Sequence, residues 1–312
     1  AVNLEKVLAG KKASVSYDIA NKTESVSGSC SPKDFETMMQ LTYLTFTAPR
    51  RDDDAFASYK NRNKAALKNQ ELNPNVAFSD SIQAGIYMKH PRIIRIKADM
   101  VDQMDYDKIL SMYQDRFKDA SDFTFIFVGN VDVEKMKPVI AEYLGALPAV
   151  NRKETFKDNK IEMRQGIYKN EFTKQQETPK ASVFAFYNGD CKYDLRNNLL
   201  LSMTSQILDL VYTEKVREDE GGTYGVYVGG TLQKYPKEKA ILQIIFDTAP
   251  EKKEKLMKII FREIDNITKT GPSEANLNKV KEYMLKKHTE DLKENSYWLG
   301  SIDEYLYTGM NR

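Results

Sequence analysis

Two stretches of this 312-residue chain, 218 positions apart, carry the same elements in the same order. Each runs from a strand hairpin through a proline-opened helix to a second helix. Pro32, Glu36, Met39, Leu67 and Lys68 recur as Pro250, Glu254, Met257, Leu285 and Lys286. Such a period predicts two copies of one domain, each near 218 residues long. The chain is then expected to begin midway through one copy and stop midway through the next, as a fragment.

Local signals fill in the elements. Val15, Tyr17 and Ile19 alternate before Asn21-Lys22, which predicts a hairpin over 12–29. Ser31 is a good N-cap, Pro32 suits the first helical position, and Asp34 completes a box-like cap. Pro49 ends that helix. Helical patterns continue over 53–71, 75–89 and 101–118, and "DFTFIFVGNVD" reads as a buried strand and a turn. Asp132 is expected to cap a helix reaching Tyr143, kinked at Pro138. Periodicity is lost in "LGALPAVNRKETFKDNK", which predicts domains over 1–155 and 156–312. The second opens with strands over 166–173 and 181–188, then a helix over 192–217 whose apolar stripe is Leu195, Leu199, Met203, Ile207, Leu210 and Val211. Strands over 223–233 and 239–247 form a hairpin before helices over 250–268 and 273–295. Hairpins followed by clustered helices predict an α+β fold: repeated domains of a largely antiparallel sheet with helices on one face.

Composition narrows the functional classes. A net charge of +2 gives no electrostatic argument for nucleic acid or an anionic membrane. No apolar run approaches the roughly 20 residues that span a bilayer. Cys30 and Cys191 exclude a disulfide framework and read as two buried thiols, with a single bridge left open. His90 and His288 are the only histidines, and "HTED" around His288 lacks the partner that an H-E-x-x-H or H-x-x-E-H zinc motif needs. Asp52-Asp53-Asp54 reads as the acidic first turn of a helix. Trp298, Tyr297, Tyr305 and Tyr307 are expected to pack against the sheet.

The stretch "VREDEGGTYGVYVGG" carries the candidate chemistry. Arg217 falls seven residues past Leu210, which on an α-helix continues the same face. Gly221-Gly222 permits a sharp reversal, and Tyr224 shares a strand face with Val226 and Val228. A guanidinium and a phenol would then meet in one small volume. Both donate hydrogen bonds to carbonyl oxygens, and a phenol can support a developing oxyanion. The same spacing equally fits an ion pair of Arg217 with Glu214 or Asp219 and one more strand aromatic.

"VREDEGGTYGVYV" resembles the Arg-x6-Tyr motif in the second half of pitrilysin/insulinase-type zinc peptidases, which include mitochondrial processing peptidase. "LTFTAPRRDDDAF", "SDFTFIFVGNVD", "EYLGALP" and "KENSYWL" agree with it, and the nearest likeness is to bacterial members with two halves on one polypeptide. The intervening "EDEGG" departs from some members. The resemblance implies that the first half binds zinc through H-x-x-E-H and activates water, so this chain would hold neither metal nor base. It implies that Arg217 and Tyr224 bind the peptide substrate's backbone and help polarise the scissile carbonyl. It further implies an N-terminal catalytic half as partner, a periplasmic location, and a place for this chain as most of the third and the start of the fourth of four domains. An inactive homologue that binds peptides or scaffolds a partner is the alternative.

Overall fold

The computed structural model describes residues 2–218, 223 and 225–311, with side chains left aside at 2, 3, 217 and 218. In chain order the helices are α1 (Val2–Val7), α2 (Phe35–Thr47), α3 (Asp53–Glu71), α4 (Pro74–Tyr87), α5 (Tyr106–Phe117), α6 (Val133–Tyr143), α7 (Leu195–Tyr212), α8 (Lys253–Thr270), α9 (Glu274–Asp291) and α10 (Asn295–Thr308). The strands are β1 (Ala13–Ile19), β2 (Glu24–Cys30), β3 (Ala181–Asp190), β4 (Val226–Gln233) and β5 (Lys239–Thr248). The chain divides into two units. One holds the sequence up to Lys68 together with Ile96–Lys157; the other holds Asn69–Arg95 together with Asp158 onward.

In the first unit, β1 and β2 form the expected antiparallel hairpin, in register from Ala13↔Cys30 to Ile19↔Glu24. Alternation sends Ala13 and Val15 to one face, where Phe35, Met38 and Met39 of α2 cover them with Val139, Ile140 and Tyr143 of α6. A second cluster joins Phe46, Phe117 and Leu147. Ser31 does occupy the N-cap position, but Pro32–Asp34 is a 3₁₀ turn and no side chain caps it. Instead the Ser31 hydroxyl donates to Asp34 Oδ2 at 2.5 Å, and the Lys12 amide donates to the same oxygen at 2.9 Å. These two donors hold the Asp34 carboxyl below the usual carboxylate range. Asp132 caps α6 as expected, accepting from the Lys135 amide, and the helix runs through Pro138. Asp52 accepts from the Ala55 amide at the start of α3.

Two strand expectations fail. Residues 123–128 take no regular secondary structure and pair with no strand among the described residues. Their aromatics still reach the helices: Phe123 packs on Phe46 and Phe127 on Phe35. Residues 166–173 also form no strand, and Ile167 is 97% exposed. That segment, with Arg164 just before it, is bonded to a helix instead. The Arg164 amide and Nε donate to Ile86 O and Gly85 O of α4 at 2.7 and 2.8 Å, and Asn170 Nδ2 donates to Ser81 Oγ at 2.6 Å. Likewise 101–118 is not one helix: its start belongs to a 3₁₀ turn at Ala98–Gln103, which precedes α5, capped by Asp105.

The second unit is built on an antiparallel sheet of order β3-β5-β4. Register explains its core. Val183, Phe246 and Val226 lie across from one another, as do Ala185, Ile244 and Val228, all on one face. Leu208, Tyr212 and Val216 cover that face together with Leu256, Ile259 and Ile260 of α8. Fully burying each large apolar side chain is worth about 1.5–3 kcal/mol, so this face is what holds the helices to the sheet. The order hairpin, 3₁₀ turn at a proline, helix recurs here as β4-β5, Pro250–Lys252 and α8. Helices on one face of antiparallel strands make the fold α+β.

Three further expectations are corrected. Cys30 and Cys191 are free thiols, half-buried rather than buried. Trp298, Tyr305 and Tyr307 of α10 are exposed rather than packed on the sheet; Trp298 is 45% exposed while its Nε1 donates to Leu292 O at 2.9 Å. α10 is held by Tyr193 Oη to Glu304 Oε1 at 2.7 Å, by Lys234 Nζ to Thr308 O, and by the Tyr307 ring standing edge-on to Tyr235 rather than by burial on the sheet. The α7 stripe also differs, with consequences for the site.

Candidate functional site

α7 carries apolar residues on more than one face, and the sheet selects among them. Asp194 caps its start by accepting from the Asn197 amide at 2.9 Å. Of the expected stripe, Ile207 is buried and Met203 and Val211 are half-buried, but Leu195, Leu199 and Leu210 are exposed, Leu199 to 44%. Ser205, Leu208 and Tyr212 face the sheet instead, with Ile207 also buried. The selector is Gly230 on β4. A β-carbon there would stand 2.3 Å from Ser205 Oγ and 2.9 Å from Leu201 Cγ. Only a residue without a side chain lets helix and strand approach so closely.

Past Tyr212 the helix changes character. Thr213–Glu218 is a π-helical turn, wider than the α turns before it. Val216 in this turn is fully buried in the sheet-facing core. The Tyr212 hydroxyl donates to Ile260 O of α8 at 3.1 Å, and burial raises its pKa well above the ordinary phenol value. Lys215 Nζ sits 3.2 Å from the buried Glu263 carboxylate of α8. Glu263 also accepts from Arg262 Nε at 3.0 Å and Asn266 Nδ2 at 3.1 Å. Burial alone would lift its pKa, but Asn266, Arg262 and Lys215 together bring it below the usual range.

The backbone of Arg217 belongs to this π turn, one residue beyond buried Val216. The seven-residue step from Leu210 therefore does not preserve a face, because a π turn sets later residues back relative to α geometry. The Arg217 side chain, Gly221, Gly222 and Tyr224 lie outside the described residues. The chain is described again at Thr223, whose Oγ1 accepts from the Gly225 amide at 3.3 Å, and from Val226, where β4 begins. Val226 faces the core, and Tyr227 is exposed on the opposite face. Sequence reasoning missed Lys215 and Glu263; they are 48 positions apart, and only the packing of α8 under the π turn joins them.

No cluster of three or more His, Cys, Asp or Glu side chains placed to hold a metal occurs among the described residues. His90 Nδ1 accepts from the Arg92 amide at 3.2 Å, and the His288 ring stands edge-on to Tyr297. This donor set does not fit a zinc ion. Nor is any helix among the described residues long and apolar enough to cross a membrane.

Residues 103–284, more than half of the chain, match the family model described as the peptidase M16 inactive domain. The chain belongs to this family. Among curated relatives, the chain is 22% identical over 285 residues to a "zinc protease PQQL-like" of Arabidopsis thaliana, covering 86% of this chain and 30% of that protein. Among solved structures it resembles the periplasmic protease PqqL from Escherichia coli, with a TM-score of 0.82 at 20% identity over 98% of this chain and 34% of that one. It also resembles the first half of the same protease, with a TM-score of 0.68 at 13% identity over 99% of this chain and 69% of that one. At such identities the structural likeness establishes the fold. The chain spans about a third of the length of the curated relatives it matches.

Proposed function

We propose that this chain is the substrate-gripping, non-catalytic half of a zinc-dependent endopeptidase that hydrolyses peptides. The observation that carries the reading is the match of 103–284 to an M16 inactive domain whose relatives are called zinc proteases. In this reading zinc belongs to an N-terminal half of the same polypeptide, and no step is assigned to it here. Residues 1–155 and 156–312 are most of one α+β domain and the start of a homologous one. A periplasmic location follows the description of the Escherichia coli protease.

Arg217 and Tyr224 carry the chemistry of this half. A guanidinium offers several N–H donors in a fixed fork, and a phenol offers one O–H. Placed on a bound peptide's carbonyls they fix its main chain, and they stabilise negative charge growing on the scissile oxygen. Support comes from the backbone: Arg217 lies in a π-helical turn, an uncommon geometry found frequently at functional sites. The test is turnover of the full-length protein on internally quenched peptides. Arg217→Ala or Tyr224→Phe is expected to lower kcat by roughly one to three powers of ten. Full turnover in both variants would refute the assigned roles.

A further inference from the structure

Whatever fixes Lys215 and Val216 also fixes where the backbone of residue 217 lies. Val216 is held in the core that the sheet and α8 share, and the polar anchors described on this stretch land on α8. The side chain of Val216 is fully buried against the cluster containing Leu256 and Ile260. The Tyr212 hydroxyl bonds Ile260 O, and Lys215 bonds the Glu263 carboxylate. Ile260 and Glu263 are one turn apart, so they share a face of α8. A π turn has a wider ring than an α turn and occurs mostly as a single inserted turn; tertiary contacts must keep it from relaxing.

Glu263 is built for such a hold. Its side chain is 6% exposed, while that of Lys215 is 38% exposed. Arg262 and Asn266 grip the carboxylate from its own helix, leaving it little freedom to follow a moving lysine. An ion pair between two exposed side chains would be worth little. Here one partner is buried and already oriented by Arg262 and Asn266, so the lysine loses its own freedom when it pairs, while the carboxylate loses little.

We infer that Glu263 is a positioning residue for Arg217: by clamping Lys215 to α8 it holds the π turn in the register that presents residue 217 to the substrate. This rests on the proposed role of Arg217. A carboxylate that merely stabilised the α7–α8 contact would affect folding equally whether or not Arg217 were present.

The experiment is a double-mutant cycle in the full-length protein, with kcat/KM measured on a pool of internally quenched short peptides. Glu263→Gln is expected to lower kcat/KM roughly tenfold when Arg217 is present, as displacement of a positioning group does. In the Arg217→Ala background the same change should cost nothing further. Lys215→Met should repeat the pattern from the half-exposed side of the pair, and so serves if Glu263→Gln does not fold. Lys215→Arg, which keeps the charge, should retain most activity. Full activity of both Glu263→Gln and Lys215→Met, or an equal loss with and without Arg217, overturns the inference and leaves the role of Arg217 standing. If Arg217→Ala itself is silent, the proposed function fails and this inference fails with it.

Discussion

Gly230 of β4 and Ser205 of α7 approach so closely that a β-carbon on the glycine would fall 2.3 Å from the serine Oγ. This contact decides which face of α7 is buried, and thereby the path of the chain into the π turn. Gly230→Ala must push helix and strand apart or force Ser205 and Leu201 off their rotamers. Overpacking of that kind costs about 1–3 kcal/mol. Urea denaturation should show the loss, and Ser205→Ala should recover part of it by removing the nearer atom.

The sheet core gives a second measure. Ile244 is fully buried between Ala185 and Val228. Ile244→Ala is expected to destabilise by about 2–5 kcal/mol, the transfer and cavity terms together. Leu299 on α10 is apolar as well but 44% exposed. Leu299→Ala should stay within about 0.5 kcal/mol of the parent in the same titration.

Asp119 links acid stability to a loop. It is fully buried and accepts from the Ser121 hydroxyl at 2.6 Å and from the Ser121, Val150 and Arg152 amides at 3.0, 2.9 and 2.6 Å. The Ser121 hydroxyl first, then the amides, hold its carboxyl far below the usual carboxylate range. A depressed folded-state pKa contributes stability that is complete above the unfolded value of about 4 and is lost as pH falls toward the folded one. Asp119→Asn should therefore be less stable at neutral pH, and its deficit should shrink as the solution is acidified below about pH 4. A deficit independent of pH, followed by thermal melts across that range, would contradict this account.

Metal dependence separates the two halves of the proposed enzyme. The isolated chain should leave the peptide pool uncut, and its melting temperature should not respond to a zinc chelator. The full-length protein should lose turnover on chelation and regain it with zinc. Peptide hydrolysis by the isolated chain would overturn the assignment of chemistry to the other half.

The legible parts of the sequence were those in which the signal and its partner sit close together. Both hairpins, the Asp132 cap and the span of α3 all follow from neighbours a few residues apart. Residues 123–128 and 166–173 read as strands, but a strand exists only when another strand satisfies its backbone; here the aromatics of the first pack on helices and Asn170 of the second bonds Ser81 of α4. The aromatics of α10 read as core because they are apolar, yet the helix meets the rest of its unit through Glu304, Thr308 and the edge of Tyr307, and Trp298 and Tyr305 stay exposed. Of the candidate pair, Arg217 and Tyr224 were visible as residue types at a spacing. The spacing carried no face, because it assumed an unbroken α-helix.

The amino-acid order alone thus determined the α+β class, the recurring hairpin-and-helix unit and the two donors worth testing, since turns, caps and periodicity act between neighbours in the chain. Tertiary packing decided which side of α7 meets the sheet, where its α geometry gives way to a π turn, and that Glu263 lies under Lys215. Those choices depend on close approach between segments far apart in sequence, where the absence of one β-carbon or the burial of one carboxylate outweighs local preference.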